Sequence, residues 1–360
     1  MTSVANSIIE KELARNARQA RSLRPVQTPR LAGPPTPLEF ARHVRANLPC
    51  VIAGVGESWP ACTKWRSRDY LESAMQGRKV TVSVTPNGLA DAVVEGRFVL
   101  PFEQKMPFTE LLDELSWQHS HPPPAWESGQ ATGAPPVYYV QSQNDNLGSS
   151  GDSEFDPLLA DVPRDISFAT AALGKAPDAV NVWFGSANAS TAVHKDHYEN
   201  LYLVIAGVKT FVLIPPTELF CLYEKPYTTA HYVPSSTPIA GDTIWSIVDD
   251  VPSSTTPWAS VDPIQPNVAA YPLFRHCKPV IVTVSAGEML YLPSMWGHQV
   301  LQQEEELEGG FRAAIAVNYW YDMEYGDAFC AVGLGVRLGR AVAGIEEWEA
   351  EDSESEPDVD

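Results

Sequence analysis

Cysteines are too few and too scattered in this sequence for a disulfide framework or a zinc cluster. The five of them, Cys50, Cys62, Cys221, Cys277 and Cys330, include no CxxC pair. That usage points to a reducing compartment, the cytoplasm and/or the nucleus. No run approaches the roughly 20 apolar residues a membrane helix needs, so no membrane-spanning role is expected. The N-terminus lacks the apolar core of a secretory signal. Arg15, Arg18, Arg21 and Arg24 suit a mitochondrial presequence, but Glu10 and Glu12 oppose one. Residues 1–24 are expected to form a solvated helix. Basic residues are scarce too: 25 Lys and Arg stand against 45 Asp and Glu, for a formal net charge of −20. Residues 346–360 hold nine of those acids and no base, the composition of a disordered acidic tail. The remaining body still carries −11. Such a balance disfavours nucleic acid as a partner and favours a basic protein or peptide.

What is present organises into two regions and the tail. Thr36-Pro37-Leu38-Glu39 predicts a helix start: Thr36 can cap, Pro37 suits the first helical position, and Glu39 can close the capping box. That helix runs to about residue 46, followed by a strand over 49–53, a helix over 68–75 and strands over 79–84 and 93–100. A helix over 108–117 completes an α/β region, residues 1–135, expected to pack on the β-rich remainder of the chain. Residues 119–136 and 148–156 read as loops. From 136 to 340 the pattern is short strands with Gly and Pro punctuation, over 137–140, 180–184, 201–205, 210–214, 280–284, 289–292, 298–302 and 313–320. That predicts a mainly β domain, a double-stranded β-helix or jelly roll flanked by helices. Residues 216–278, rich in Pro, Ser and Thr, are expected to form a long covering loop.

The chemistry concentrates in Val193-His194-Lys195-Asp196-His197-Tyr198. Side chains two apart on an extended segment share a face, so His194 and Asp196 can grip one ion. A third ligand is available in Leu292-Pro293-Ser294-Met295-Trp296-Gly297-His298, where His298 follows a strand and a Pro/Gly turn. Two imidazoles and one carboxylate leave open positions, which suits a non-haem iron(II) enzyme that must admit a chelating cosubstrate and O2. Either motif alone is as well explained by chance or by a structural histidine. Their joint placement on candidate barrel strands favours metal. His197 points away from that face and is read as structural; His43, His119, His121, His231 and His276 are read as surface residues.

The segments TAVHKDHYENLYLVIAGVKTFVLIPP, GEMLYLPSMWGHQV and AVNYWYDMEY resemble the JmjC (jumonji-C) family of 2-oxoglutarate oxygenases over roughly residues 137–340. The resemblance is strongest to the small JmjC hydroxylases, in the group of the bifunctional peptidase and (3S)-lysyl hydroxylase, and PLEF…PCVIAG…WPA…W ahead of the barrel matches that group too. It implies an Fe(II)- and 2-oxoglutarate-dependent dioxygenase that hydroxylates a protein side chain, lysine above all, releasing succinate and CO2. Lys209, fifteen positions after His194, matches the lysine that pairs with the distal carboxylate of 2-oxoglutarate. Thr191 matches a hydroxyl on that carboxylate, Tyr139 supplies a phenol, and Asn200 and Asn318 match amides near the metal-bound end. Tyr202 and Trp320 would wall the pocket, although core packing explains them equally well. A Lys209 pointing outward from a hairpin is the plain alternative. Two features depart from the family pattern: the tail, and residues 303–310 with Glu304, Glu305 and Glu306, expected as an acidic lip on the active-site side or a solvated loop. The other readings are a JmjC N-methyl-lysine (histone) demethylase and a non-catalytic cupin-like binding protein; a homodimer is compatible with all of them.

Overall fold

The computed structural model describes residues 3–122, 136–148, 153–235 and 244–346. Two mainly antiparallel sheets form the double-stranded β-helix. The larger runs, in order, Arg30–Leu31, Cys50–Ile52, Met289–Leu292, Tyr198–Ala206, Arg312–Asp322, Ala179–Gly185, Val137–Val140, Lys79–Thr85 and Phe102–Pro107. The smaller runs Val280–Ser285, Val208–Ile214, Gly297–Gln303, Ser190–His194 and Leu89–Ala90. Between them Tyr202 and Val204 meet Phe211, Leu213, Val282 and Val284 in the barrel interior. Leu201, Leu203 and Ile205, on the opposite face of the same strand, join a second core with Phe40, Trp65, Leu71 and Leu111 from the helices. A strand buried on both faces reads as a continuous apolar run, which is why residues 201–205 show no alternation.

The first region does more than pack on the barrel, since five of its strands are hydrogen-bonded into these two sheets. The boundary expected near residue 135 lies outside the described residues, as do residues 347–360 of the acidic tail. The helix Pro37–Ala46 starts with the expected reciprocal cap: Thr36 N donates to Glu39 Oε2 at 2.8 Å, and Glu39 N to Thr36 Oγ1 at 3.3 Å. It ends at Asn47 in the left-handed region, φ 48°, and Asn47 then reaches the turn that precedes His298.

Four expectations need correction. The N-terminal helix, Ser3–Leu23, is not merely solvated. Leu13, Ala14 and Ala17 are buried, and Leu13 and Ala17 share a core with Val336 of the helix Asp327–Ala343, an element with no clear signal in the sequence. A stripe of small residues among many charges is a weak amphipathic signal, so the contact was hidden. The stretch 216–278 is not a covering loop. Its described residues form the strands Lys225–Pro234, Trp245–Asp249 and Thr255–Trp258, which make a third sheet with Ala92–Val94 and Arg97–Leu100. The single strand expected over 93–100 is a hairpin instead, turned by Glu95 and Gly96 at φ 51° and 75°, the pair of positive values that tight hairpins demand. The helix expected to end near residue 117 continues to Ser120.

Candidate metal centre and cosubstrate pocket

His194 ends the strand Ser190–His194 and is the register partner of His298, at the start of Gly297–Gln303. Asp196 follows two residues later. The three side chains converge: Asp196 Oδ1 lies 3.8 Å from His194 Nε2, Asp196 Oδ2 lies 3.5 Å from His298 Nε2, and the imidazole centroids are 4.2 Å apart. One donor atom from each falls within 4.8 Å of the others, and no other such group occurs among the described residues. The Nδ1 atoms face backbone carbonyls, His194 to Ala192 O at 2.8 Å and His298 to Trp296 O at 3.0 Å. A proton on Nδ1 donates there, leaving both Nε2 lone pairs aimed at the centre. Burial, with His194 alongside, pushes the His298 pKa down to about 4, so it is neutral at pH 7. This donor set fits a divalent metal that takes imidazole and carboxylate together. His197 does not join it, and packs on the rings of Tyr325 and Phe329.

The turn between strand and His298 is anchored from three sides. Glu199, buried, accepts from Tyr291 Oη at 2.6 Å, Ser294 Oγ at 2.9 Å and Ser294 N at 3.3 Å. Burial raises its pKa against those donors. Met295, at φ 65°, donates its N–H to Asp196 O at 2.9 Å, and Trp296 Nε1 donates to Asn47 Oδ1 at 2.6 Å. Glu199 is thus a positioning residue for the turn that ties Asp196 to His298. Glu199→Ala strands three buried donors and is expected to cost about 2–4 kcal/mol of stability, read by chemical denaturation. A change under about 0.5 kcal/mol would mean the turn holds itself.

Thr191, Asn200, Tyr139, Tyr202 and Trp320 line a narrow cavity with the three metal-type side chains. Asn318 is set behind it: its Oδ1 accepts from Trp183 Nε1 at 2.8 Å, and its Nδ2 donates to Asn200 Oδ1 at 3.3 Å. It therefore orients Asn200 rather than facing the cavity. Lys209 points inward and is fully buried, which disposes of the outward hairpin alternative. Its Nζ donates to Tyr139 Oη at 3.3 Å and to Gln302 Oε1, and lies 5.3 Å from the Tyr139 ring centroid. No carboxylate among the described residues lies within ion-pair distance of it, and burial lowers its pKa to about 7. Burial raises the pKa of the Tyr139 and Tyr202 phenols, keeping them neutral donors. The buried Trp320 Nε1 likewise finds no acceptor in the protein. A buried cation without a counter-charge, beside unspent donors, is a site shaped for an anion.

Sequence reasoning missed Gln302, Trp183 and Gln143, which also build this pocket. Alternation along the His298 strand would have found Gln302, because His298, Val300 and Gln302 point the same way. Gly185 makes room for the pair: a Cβ there would lie 2.4 Å from Gln302 Nε2 and 2.6 Å from the Tyr139 ring.

The acidic lip must be withdrawn. Glu304, Glu305 and Glu306 follow the far end of the His298 strand, past Lys209's partner Gln302, and their carboxylates are engaged. Glu304 meets His119 at 2.6 Å and the Ala187 N–H; Glu305 meets Arg66 and the Gly207 N–H at 3.1 Å; Glu306 meets Arg312 at 2.7 Å. Their joint conversion to Gln is expected to lower stability by about 1–3 kcal/mol, mostly through the partly buried Glu304, and to leave turnover intact. Denaturation midpoints alongside steady-state rates check this; a rate loss at unchanged stability would restore the lip.

A double-stranded β-helix that gathers His, Asp and His at one end is the architecture of cupin-type metal enzymes. Residues 35–327 match the family described as Cupin-like domain. The human protein named bifunctional peptidase and (3S)-lysyl hydroxylase JMJD7 is 40% identical over 328 residues, 90% of this chain and 94% of that protein. JmjC domain-containing protein E of Dictyostelium discoideum is 37% identical over 81% of this chain and 83% of its own length. Lysine-specific demethylase JMJ32 of Arabidopsis thaliana is 38% identical over 81% of this chain and 80% of its own. The chain belongs to the cupin-like JmjC family of 2-oxoglutarate-dependent oxygenases.

Proposed function

We propose that the protein hydroxylates a lysyl side chain of a basic protein or peptide, using Fe(II), 2-oxoglutarate and O2. The observation that carries this reading is the fully buried, uncompensated Lys209 in the same barrel as the His194–Asp196–His298 cluster. When bound, iron(II) with 2-oxoglutarate supplies the oxidising chemistry, releasing succinate and CO2. The chain's own residues do the rest. His194, Asp196 and His298 would hold the metal on one side, keeping the opposite positions free. Lys209 would pair with the distal carboxylate, with Tyr139 and Thr191 donating beside it. Asn200, oriented by Asn318, would stand near the metal-bound end of the cosubstrate. Tyr202, Trp183 and Trp320 wall the cavity and exclude water. Lysine is favoured by the name of the human relative and by the acidic body.

The name of the Arabidopsis relative supports a second reading, N-methyl-lysine demethylation. Mapping single-oxygen gains after incubation with cell extract tests the first. Stable oxygen gains on lysines are expected; loss of methyl groups as formaldehyde without them would favour the second.

A further inference from the structure

The third sheet stands beside the metal-type cluster. Trp258, at the end of Thr255–Trp258, lies nearly parallel to the His194 ring, 5.9 Å between centroids and 12° between planes. Its Nε1 is buried and finds no acceptor in the protein. Between this sheet and the strands Lys79–Thr85 and Phe102–Pro107 lies a cavity of about 540 Å³ lined by Asp91, Glu103, Gln141 and Gln143, among others. Gln143 also lines the cavity that holds His194, Asp196 and His298, so the two spaces adjoin. No Lys or Arg lines the larger one, and its only imidazole, His231, is engaged by Asp250 at 2.5 Å.

Asp91 sits where the two spaces meet. It follows Ala90, the register partner of Thr191 on the His194 strand. Its Oδ2 accepts from Gln141 Nε2 at 3.2 Å, and no Lys or Arg among the described residues lies within ion-pair distance. A partly buried carboxylate held by one amide, on a path toward a metal-type cluster, leaves a place for a cation.

We infer that this cleft admits the substrate side chain and that Asp91 is its specificity-determining residue, accepting N–H bonds from a primary alkylammonium group. This rests on the lysyl reading above and adds which residues recognise the charge. The walls suit the rest of a lysyl chain: Trp258, Leu100 and Tyr232 offer apolar surface to its methylene stem while the ammonium meets Asp91.

The test uses the full chain without metal or cosubstrate. Saturation-transfer NMR titrations compare Nα-acetyl-lysine N-methylamide with its norleucine counterpart, which lacks only the ammonium group. The lysine amide is expected to bind about tenfold more tightly, and Asp91→Asn to bring the two within about twofold. Asn tolerates the φ of 52° at this position, so the variant keeps its backbone. Glu103→Gln, farther out, should lose about threefold at most. Equal binding of the two amides, binding of neither, or an undiminished preference in Asp91→Asn overturns the inference. A 2-oxoglutarate consumption assay on the same preparation separates this from the proposed function. An amine preference that depends on Asp91 without 2-oxoglutarate consumption keeps the cleft and sinks the reading. Hydroxylation with an Asp91-independent preference does the reverse.

Discussion

Replacing His194 or Asp196 with Ala should abolish turnover, with a loss of at least about a thousandfold, while the chain stays folded. The size comes from the role: a ligand set of three that loses one no longer holds a metal with the positions a chelating cosubstrate requires. Stability should hardly move, because both side chains border a cavity instead of filling a core. The carbonyl that accepts from His194 Nδ1 lies only two residues away, so little long-range structure depends on the ring. Removing Asp196 also relieves two carboxylate–imidazole approaches that matter only when a metal bridges them. Steady-state 2-oxoglutarate consumption and a thermal melt decide the matter together. Full turnover in either variant contradicts the assignment, and a cooperative unfolding loss without any metal effect would recast these residues as structural.

Lys209→Ala should weaken 2-oxoglutarate binding by about 2–5 kcal/mol, roughly 30-fold to several-thousand-fold in Kd. The same residue predicts a pH dependence of definite sign. In the empty protein its pKa is lowered by burial to about 7, from an ordinary 10.5. Between those values the unfolded chain binds more protons than the folded one. This group therefore destabilises the empty protein fully below pH 7, and the penalty fades as pH rises through 10.5. A bound dicarboxylate stabilises the ammonium form, so binding above pH 7 takes up a proton and affinity falls between pH 7 and 9. Calorimetry in two buffers of different ionisation enthalpy would show that uptake. Its absence in the wild type, or its persistence in Lys209→Ala, would mean the cation is not what the cosubstrate meets.

Much of this was legible in the chain itself. HxD spacing on an extended segment put His194 and Asp196 on one face, and a strand followed by Pro and Gly returned His298 to it; two local patterns sufficed because each ligand sits at a strand end. The strands of the barrel were visible as short β runs between turn residues. Lys209 needed the family resemblance, since an inward lysine and a hairpin lysine look alike in sequence; the structure distinguishes them by burying it beside Tyr139 and Gln302. What escaped was what depends on distant pairings. The third sheet is built from a Pro-, Ser- and Thr-rich stretch whose buried residues, Tyr227, Thr229, Ala230 and Tyr232, break simple alternation. Glu304 to Glu306 looked like a free acidic run because their partners His119, Arg66 and Arg312 are supplied by other segments or across a hairpin. Asp91 carried no motif at all.

The most direct measurement is a balance sheet on purified protein with iron(II), 2-oxoglutarate, O2 and a lysine-bearing basic peptide. The proposed function predicts iron-dependent succinate release matched one to one by a retained oxygen atom on a lysyl side chain. It also predicts association with that peptide that weakens as salt rises. No 2-oxoglutarate consumption, or consumption that yields formaldehyde from a methylated lysine and no retained oxygen, would contradict it.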